Sequence, residues 1–292
     1  MMFSGSIPAL LTPFAAGRVD EEAFRAFVEW QIEQGSSGLV PCGTTGEVAT
    51  LGHDEQHRLF QITVEQANGR VPVIAGCGSN NTATAIEHMR VAANFGADAA
   101  LIVLPYYNKP SQGGLLAHFE ALAAASPLPM IVYNVPSRTV SDISVETLAE
   151  VAKLPSVVGI KDATGNLARV TAQRLACGPE FCQLSGNDDL ALGFNAMGGV
   201  GCISVSANVA PRLCADFQRA MLDGRWDDAL ALQDRLYPLH AALFSDASPG
   251  PAKYALSRVR PSFATELRLP LTEPSAESRG IVDAALDHAG LI

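Results

Sequence analysis

The stretch Ser156-Val-Val-Gly-Ile-Lys-Asp-Ala-Thr-Gly-Asn166 decides how the chain is read. Val157, Val158 and Ile160 make a short, apolar, β-branched run that predicts a buried strand, and the strand stops at Lys161 before a series of loop formers. An ammonium is expensive to bury without a partner, so a lysine at the end of a buried strand needs a reason other than packing. The chain has four lysines, at 109, 153, 161 and 253, and only Lys161 has this context. Lys109 and Lys253 fall at loop or helix-start positions, where an amine is expected to keep its ordinary pKa of about 10.4 and its proton.

The same unit, an apolar strand, a loop and an amphipathic helix, recurs on both sides of this stretch. Strands are expected at 6–11, 38–42, 71–75, 99–104, 130–133, 157–161, 181–184 and 201–205. Helices are expected between them. Asp20 caps the first, which has Glu21 and Glu22 in its opening turn and Phe24, Phe27, Val28 and Ile32 on one face. The others are expected near 54–67, 81–95, 114–125, 145–153, 167–176, 188–197 and 211–223. Eight such units predict an α/β fold, a closed (β/α)8 or TIM barrel over residues 1–224. An open, doubly wound sheet would carry a phosphate-binding glycine turn after its first strand, and Thr12-Pro13-Phe14 cannot serve as one. Helical segments near 226–244, 251–258 and 276–289, separated by proline-rich turns, predict a C-terminal helical extension over 225–292 packed on the barrel.

Composition narrows the function. Hydrophobic content of 48% with 17% charged residues provides for a sizeable core in 292 residues, and a net charge of −10 argues against nucleic acid or an anionic membrane as partner. No apolar run reaches the length of a membrane span, and no secretory signal is visible, so a cytoplasmic location is expected. Cys42, Cys77, Cys177, Cys182, Cys202 and Cys214 form no C-x-x-C pair and are expected as reduced, mostly buried thiols. His53 and His57 stand at i and i+4, but no fitting carboxylate accompanies them, and no metal site is expected.

In a barrel the C-terminal strand ends share one mouth. They bring Gly43-Thr-Thr-Gly-Glu47, Tyr106-Tyr-Asn-Lys-Pro110, Tyr133-Asn-Val-Pro-Ser-Arg138, Lys161, Ser185-Gly186 and the Ile203 region to it. The glycine-threonine turn offers N–H groups and hydroxyls to a small carboxylate, or is simply a tight turn. Tyr133 ends the strand next to that of Lys161, close enough for proton exchange with its amine, or is a packed core tyrosine. Arg138 can clamp a carboxylate bidentately, or stand in solvent. Lys161 itself could be held in a buried salt bridge by Asp162 or Glu47. The joint occurrence favours chemistry. A neutral amine in a desolvated pocket attacks a ketone, the resulting imine drains electrons from the neighbouring carbon, and the enamine that forms attacks an aldehyde. The reading from residues alone is a Schiff-base aldolase acting on a 2-oxo acid, with the imine as electron sink and no cofactor.

Gly43-Thr-Thr-Gly-Glu47, Tyr106-Tyr-Asn-Lys-Pro-Ser111, Tyr133-Asn-Val-Pro-Ser-Arg-Thr139, Gly159-Ile-Lys-Asp-Ala-Thr-Gly-Asn166, Leu184-Ser-Gly186 and Gly201-Cys-Ile-Ser-Val-Ser-Ala-Asn208 together resemble the 4-hydroxy-tetrahydrodipicolinate (dihydrodipicolinate) synthase family. These are pyruvate-dependent aldolases that also include N-acetylneuraminate lyase, and the resemblance runs along essentially the whole chain. It implies condensation of pyruvate with L-aspartate 4-semialdehyde in lysine and diaminopimelate biosynthesis. Lys161 would form the imine and Tyr133 would move protons, relayed by Thr44 and by Tyr107 reaching a neighbouring subunit. Thr45 and the main chain at Ile203 would bind pyruvate beside Gly186, and Arg138 would hold the semialdehyde carboxylate. A homotetramer built as a dimer of dimers is implied. Arg138 and the Thr44-Thr45 pair speak against a sugar-acid aldolase, which, with a catalytically silent homologue, is the alternative.

The resemblance also implies a degenerate lysine-effector site. Ala49, His53, Asn80 and Tyr106 are kept, but Val48, Gln56 and Thr84 stand where lysine-inhibited members carry a serine, a histidine and an acidic residue. Without a carboxylate at Thr84 the effector's α-ammonium has no charge partner, so lysine inhibition is expected to be weak or absent.

Overall fold

The computed structural model describes residues 3–126 and 128–292. Seven parallel strands form one sheet in the order β1-β9-β8-β7-β6-β5-β4. They are β1 (Gly5–Pro8), β4 (Ile74–Gly76), β5 (Ala99–Val103), β6 (Met130–Asn134), β7 (Val157–Asp162), β8 (Cys182–Ser185) and β9 (Gly201–Ser204), while β2 (Phe14–Ala15) and β3 (Arg18–Val19) make a small antiparallel hairpin. The strand expected at 38–42 is reduced to two parallel bridges, Ala9 to Val40 and Leu39 to Val73. Pro41 has no N–H to give and Cys42 sits at φ +56°, so the extended ladder cannot continue.

This segment still closes the ring. Val40 N–H donates to the Pro8 carbonyl at 3.0 Å and Leu10 N–H to the Val40 carbonyl at 2.9 Å on one side. Leu39 N–H donates to Pro72 and Ile74 N–H to Leu39, both at 2.9 Å, on the other. Gly76 permits the approach, because a Cβ there would collide with the Cys42 carbonyl. The expected eight-stranded α/β barrel is therefore present.

Two concentric cores follow from the period of two along each strand. Ile7, Val40, Ile74, Leu101, Ile131, Tyr133, Leu184 and Ile203 pack inside the ring. The alternate residues Leu39, Ala100, Ile102, Met130, Val132 and Ile160 face outward against Phe24, Phe60, Met89 and Phe119 of the helices. Those helices are α1 (Glu21–Glu33), α2 (His53–Ala67), α3 (Thr82–Phe95), α4 (Gln112–Ala125), α5 (Pro136–Thr139), α6 (Val145–Val151), α7 (Ala168–Cys177), α8 (Ala191–Ala196) and α9 (Pro211–Leu222). Helix α1 forms where its sequence signals place it: the Asp20 carboxylate accepts from Ala23 N–H at 3.0 Å, and Phe24, Phe27 and Val28 are buried.

Two local departures have clear causes. Helix α8 is shorter than the expected 188–197 because Asp188 turns inward to the strand β9 loop instead of opening the helix. The four-residue helix α5, unforeseen in the sequence, starts on Pro136 at a position suited to proline. Helices α10 (Trp226–Ala242), α11 (Gly250–Val259) and α12 (Ala276–His288) follow the barrel, with α10 against α9 and α12 across α10 and α11. Among the described residues no helix is long and apolar enough to cross a membrane.

Candidate active site

Strand register places Lys161 directly opposite Tyr133 on the neighbouring strand. Because Tyr133 belongs to the inner core, Lys161 also points into the barrel. Both are buried, and the Lys161 amine lies 4.2 Å from the centre of the Tyr133 ring. The two carboxylates that could have held Lys161 in a structural salt bridge are engaged elsewhere. Asp162 accepts from Thr164 Oγ1 at 2.6 Å, Thr164 N–H at 2.8 Å, Gln173 Nε2 at 2.7 Å and Arg169 Nε at 3.3 Å. Glu47 is paired with Lys253. Among the described residues the Lys161 amine has no carboxylate within salt-bridge distance, which leaves it available as a nucleophile.

Glycine is required at 186. A Cβ built there would lie 3.1 Å from Lys161 Cε and 2.6 Å from Ala163 Cβ, so the missing side chain is what leaves space beside the amine. The threonine turn is a 3-10 helix over Thr44–Gly46 with Thr45 buried. Its own hydrogen bonds use the N–H groups of Gly46 and Glu47, while those of Thr44 and Thr45 find no acceptor among the described residues. Free N–H groups at a helical start are a ready anion cradle. Ile203 is fully buried on β9, in register with Ile7. The loop after it is tied down by Asp188, which accepts from Ser204 Oγ and from Val205 N–H at 2.8 Å, and by Asn208, whose side chain bonds Leu11 N–H and the Ala9 carbonyl.

Arg138 is exposed on α5 beyond β6, with no carboxylate in salt-bridge reach among the described residues. Tyr107 stands apart from its own barrel, 91% exposed and at φ +69°. No hydrogen bond joins the hydroxyls of Thr44, Tyr107 and Tyr133 among the described residues, so one chain alone does not assemble the expected relay.

The expectation for Lys253 is overturned. It is fully buried, paired with Glu47 at 2.5 Å, bonded to the Glu266 carbonyl at 2.6 Å and set 4.2 Å from the centre of the Phe14 ring. Burial pulls its proton affinity below the ordinary lysine value, and the Glu47 carboxylate opposes that. Arg268 completes the brace. Its backbone N–H donates to Glu47 Oε2, and its guanidinium reaches Glu55 and the Thr50 carbonyl and lies 4.3 Å from the centre of the Phe14 ring. Helix α11, through Lys253, and the segment after it, through Arg268, thus grip the loop that carries Thr44 and Thr45, and the unforeseen hairpin supplies the aromatic ring that both cations approach. Sequence reasoning missed this brace; the only signal was a glutamate closing the glycine-threonine motif.

Around the expected effector positions, Ala49, His53 and Tyr106 are exposed and Thr84 is half-buried. The Asn80 carbonyl accepts from Asn108 Nδ2 at 2.8 Å, tying it to the tyrosine loop. Gln56 faces inward, its amide donating to the Gly76 carbonyl at 2.8 Å, and so is removed from that surface. His88, which the sequence did not single out, stands beside His53 with ring nitrogens 3.2 Å apart. Burial pushes His57 below the usual histidine value and His88 down to about 4. All six cysteines are free, and burial raises the Cys182 thiol to about 12, leaving it a poor nucleophile.

The profile of the Dihydrodipicolinate synthetase family matches residues 2–289. The 4-hydroxy-tetrahydrodipicolinate synthase of Rhizorhabdus wittichii is 67% identical over 99% of this chain and 100% of its own length. That of Zymomonas mobilis subsp. mobilis is 65% identical over the full length of both. The crystal structure of the chloride-inhibited dihydrodipicolinate synthase from Acinetobacter baumannii complexed with pyruvate superimposes with a TM-score of 0.96 at 41% identity, covering 99% of both chains.

Proposed function

The chain belongs to the dihydrodipicolinate synthetase family, and from that premise we infer that it condenses pyruvate with L-aspartate 4-semialdehyde to give 4-hydroxy-tetrahydrodipicolinate. The observation that carries this reading is the Lys161–Tyr133 pair, side by side inside the barrel with the nearby carboxylates already committed.

The neutral Lys161 amine attacks the pyruvate ketone, and loss of water leaves an imine. Tyr133, its hydroxyl end at the same mouth, passes protons as the carbinolamine forms and collapses. The iminium acidifies the adjacent methyl group, and a lost proton gives the enamine. The enamine carbon bonds the aldehyde carbon of the semialdehyde, whose oxygen takes a proton to become hydroxyl. The semialdehyde's own amine then adds to the imine carbon and expels Lys161, closing the ring and regenerating the enzyme. The imine is the electron sink throughout, so the reaction calls for no cofactor.

The free N–H groups of Thr44 and Thr45, the Thr45 hydroxyl and the Ile203 main chain suit the pyruvate carboxylate. Unpaired Arg138 suits the semialdehyde carboxylate. Tyr107, projecting from its own barrel, is assigned to the site of a neighbouring protomer in a homotetramer, where it meets Thr44 and Tyr133. Residues 225–292 form the extension that braces the barrel of residues 1–224, and the enzyme works in the cytoplasm with its biosynthetic substrates.

A condensation assay supplied with pyruvate and aspartate semialdehyde, run beside N-acetylneuraminate and 2-keto-3-deoxygluconate, tests the reading. Turnover is expected with the first pair alone; preferential cleavage of either sugar acid would replace it with the sugar-acid aldolase. In the same assay sub-millimolar lysine is expected to inhibit weakly or not at all, since Thr84 offers no carboxylate and Gln56 is turned inward. Strong inhibition would show that another group holds the effector's ammonium.

Gly186→Ala is expected to lower kcat/KM for pyruvate by roughly 10²-fold, because the added methyl must displace Lys161 Cε or Ala163 from the reacting geometry. An unchanged value would mean that the space beside Lys161 is not where pyruvate sits.

A further inference from the structure

We propose that His53, His57 and His88 form a binding site for one first-row transition-metal cation of the zinc class, held outside the catalytic mouth. His53 opens α2, and His57 follows one turn later on the same face. His88 projects from α3, which packs on α2. One ring nitrogen from each of the three lies within 4.8 Å of the other two. The rings stand nearly perpendicular to one another, at 88° for His53 and His88, 83° for His57 and His88, and 84° for His53 and His57. Three imidazoles from two packed helices thus bring one nitrogen each into a single small cluster.

The cluster is not explained by its own hydrogen bonds. His53 Nδ1 and His88 Nε2 share one contact at 3.2 Å, but His57 Nε2 is buried with no partner among the described residues, and His88 Nδ1, the ring nitrogen not engaged with His53, also lacks one and would not be satisfied by an ion held at Nε2. Buried polar atoms left without partners are uncommon and call for an account. His88 is only 6% exposed, so solvent cannot readily satisfy it.

A tetrahedral zinc ion at about 2.0–2.1 Å from each nitrogen would hold the nitrogens roughly 3.3 Å apart. His53 Nδ1 and His88 Nε2 already stand 3.2 Å apart, and binding requires His57 to close on them from within 4.8 Å. Two histidines at i and i+4 on one helix with a third ligand from a neighbouring element is a known zinc geometry. Imidazole donors select zinc, copper, nickel or cobalt over magnesium and calcium, which prefer oxygen. His53 is exposed, which leaves a fourth coordination position for water, and the carboxylates of Asp54 and Glu87 lend the site negative potential. Bound there, the cation would pin the start of α2 to α3.

The proposal is independent of the reaction inferred above, and so is its test. Untagged full-length protein, stripped with chelator, is dialysed against Zn²⁺ and assayed for bound metal, with Co²⁺ as an absorption probe of coordination. One Zn²⁺ per chain with micromolar or tighter affinity is expected, together with a rise in melting temperature that Mg²⁺ does not produce. His57→Gln and His53→Gln, at half-buried and exposed positions, should each weaken binding about tenfold or more. His288→Gln, an exposed histidine elsewhere, should leave it unchanged. His88→Gln should abolish the four-coordinate Co²⁺ spectrum, and if that variant fails to fold the other two decide. Absence of stoichiometric binding, or binding that survives His57→Gln, would overturn the proposal.

Discussion

Lys161→Arg keeps a long basic side chain at the barrel mouth and is expected to lower kcat by on the order of 10⁶-fold, the scale of losing a covalent nucleophile. A guanidinium stays protonated at any working pH and cannot form the imine. The diagnostic readout is covalent. Borohydride added with pyruvate should reduce the imine to a stable secondary amine in the wild-type protein, and peptide mapping should find the adduct on Lys161. The variant should show none. An adduct on another lysine would move the nucleophile, and no adduct on the wild-type protein would remove every Schiff-base reading. Lys253 is the competitor to watch, being buried and lowered in proton affinity, but Glu47 and the Glu266 carbonyl occupy its amine.

Lys253→Met is expected to destabilise the fold by roughly 3–5 kcal/mol, since it leaves the Glu47 carboxylate buried without its cation. The change should appear as a fall in melting temperature on the order of 10 °C. Removing both charges, in Lys253→Met with Glu47→Leu, should recover part of the loss, because an apolar pair carries no buried charge, while the Arg268 N–H and the Glu266 carbonyl still lose their partners. Activity separates structure from function here. Glu47 sits at φ +58° directly after the Thr44–Gly46 turn, so even the recovered double variant should show a raised KM for pyruvate. A double variant with both stability and KM restored would show that the brace holds the fold without shaping the anion cradle. A Lys253→Met variant of normal stability would mean that water reaches the pair.

The barrel was legible because its signal is local and repeated. A strand buried on both faces is a short apolar run, a surface helix shows its stripe, and eight alternations leave few topologies. The 38–42 segment shows the limit of that logic. Its residues are apolar enough for a strand, yet Pro41 and Cys42 reduce the ladder to single bridges, and ring closure depends on Gly76 meeting the Cys42 carbonyl. Lys161 and Tyr133 were legible as a pair for a similar reason: consecutive strands of a parallel barrel are neighbours, so adjacent strand ends in sequence are adjacent in space.

The Lys253–Glu47–Arg268 brace was illegible. Glu47 is separated from Lys253 and Arg268 by most of the chain, and a lysine at a helix start has the same local signature whether it meets solvent or a buried carboxylate. His88 escaped notice likewise, since nothing in α3 announces that its face meets the His53 and His57 face of α2.

Sequence by itself determined the order of strands and helices and singled out the candidate nucleophile at a strand end with the residues around it, because backbone periodicity and side-chain chemistry are written locally. Only the tertiary structure decided that Asp162 and Glu47 are committed elsewhere, that Lys161 is left free beside Tyr133, and that a second lysine spends its charge on holding the threonine turn. The physical reason is that charge pairing acts over a few ångströms in space, and which groups come that close is set by packing between distant parts of the chain.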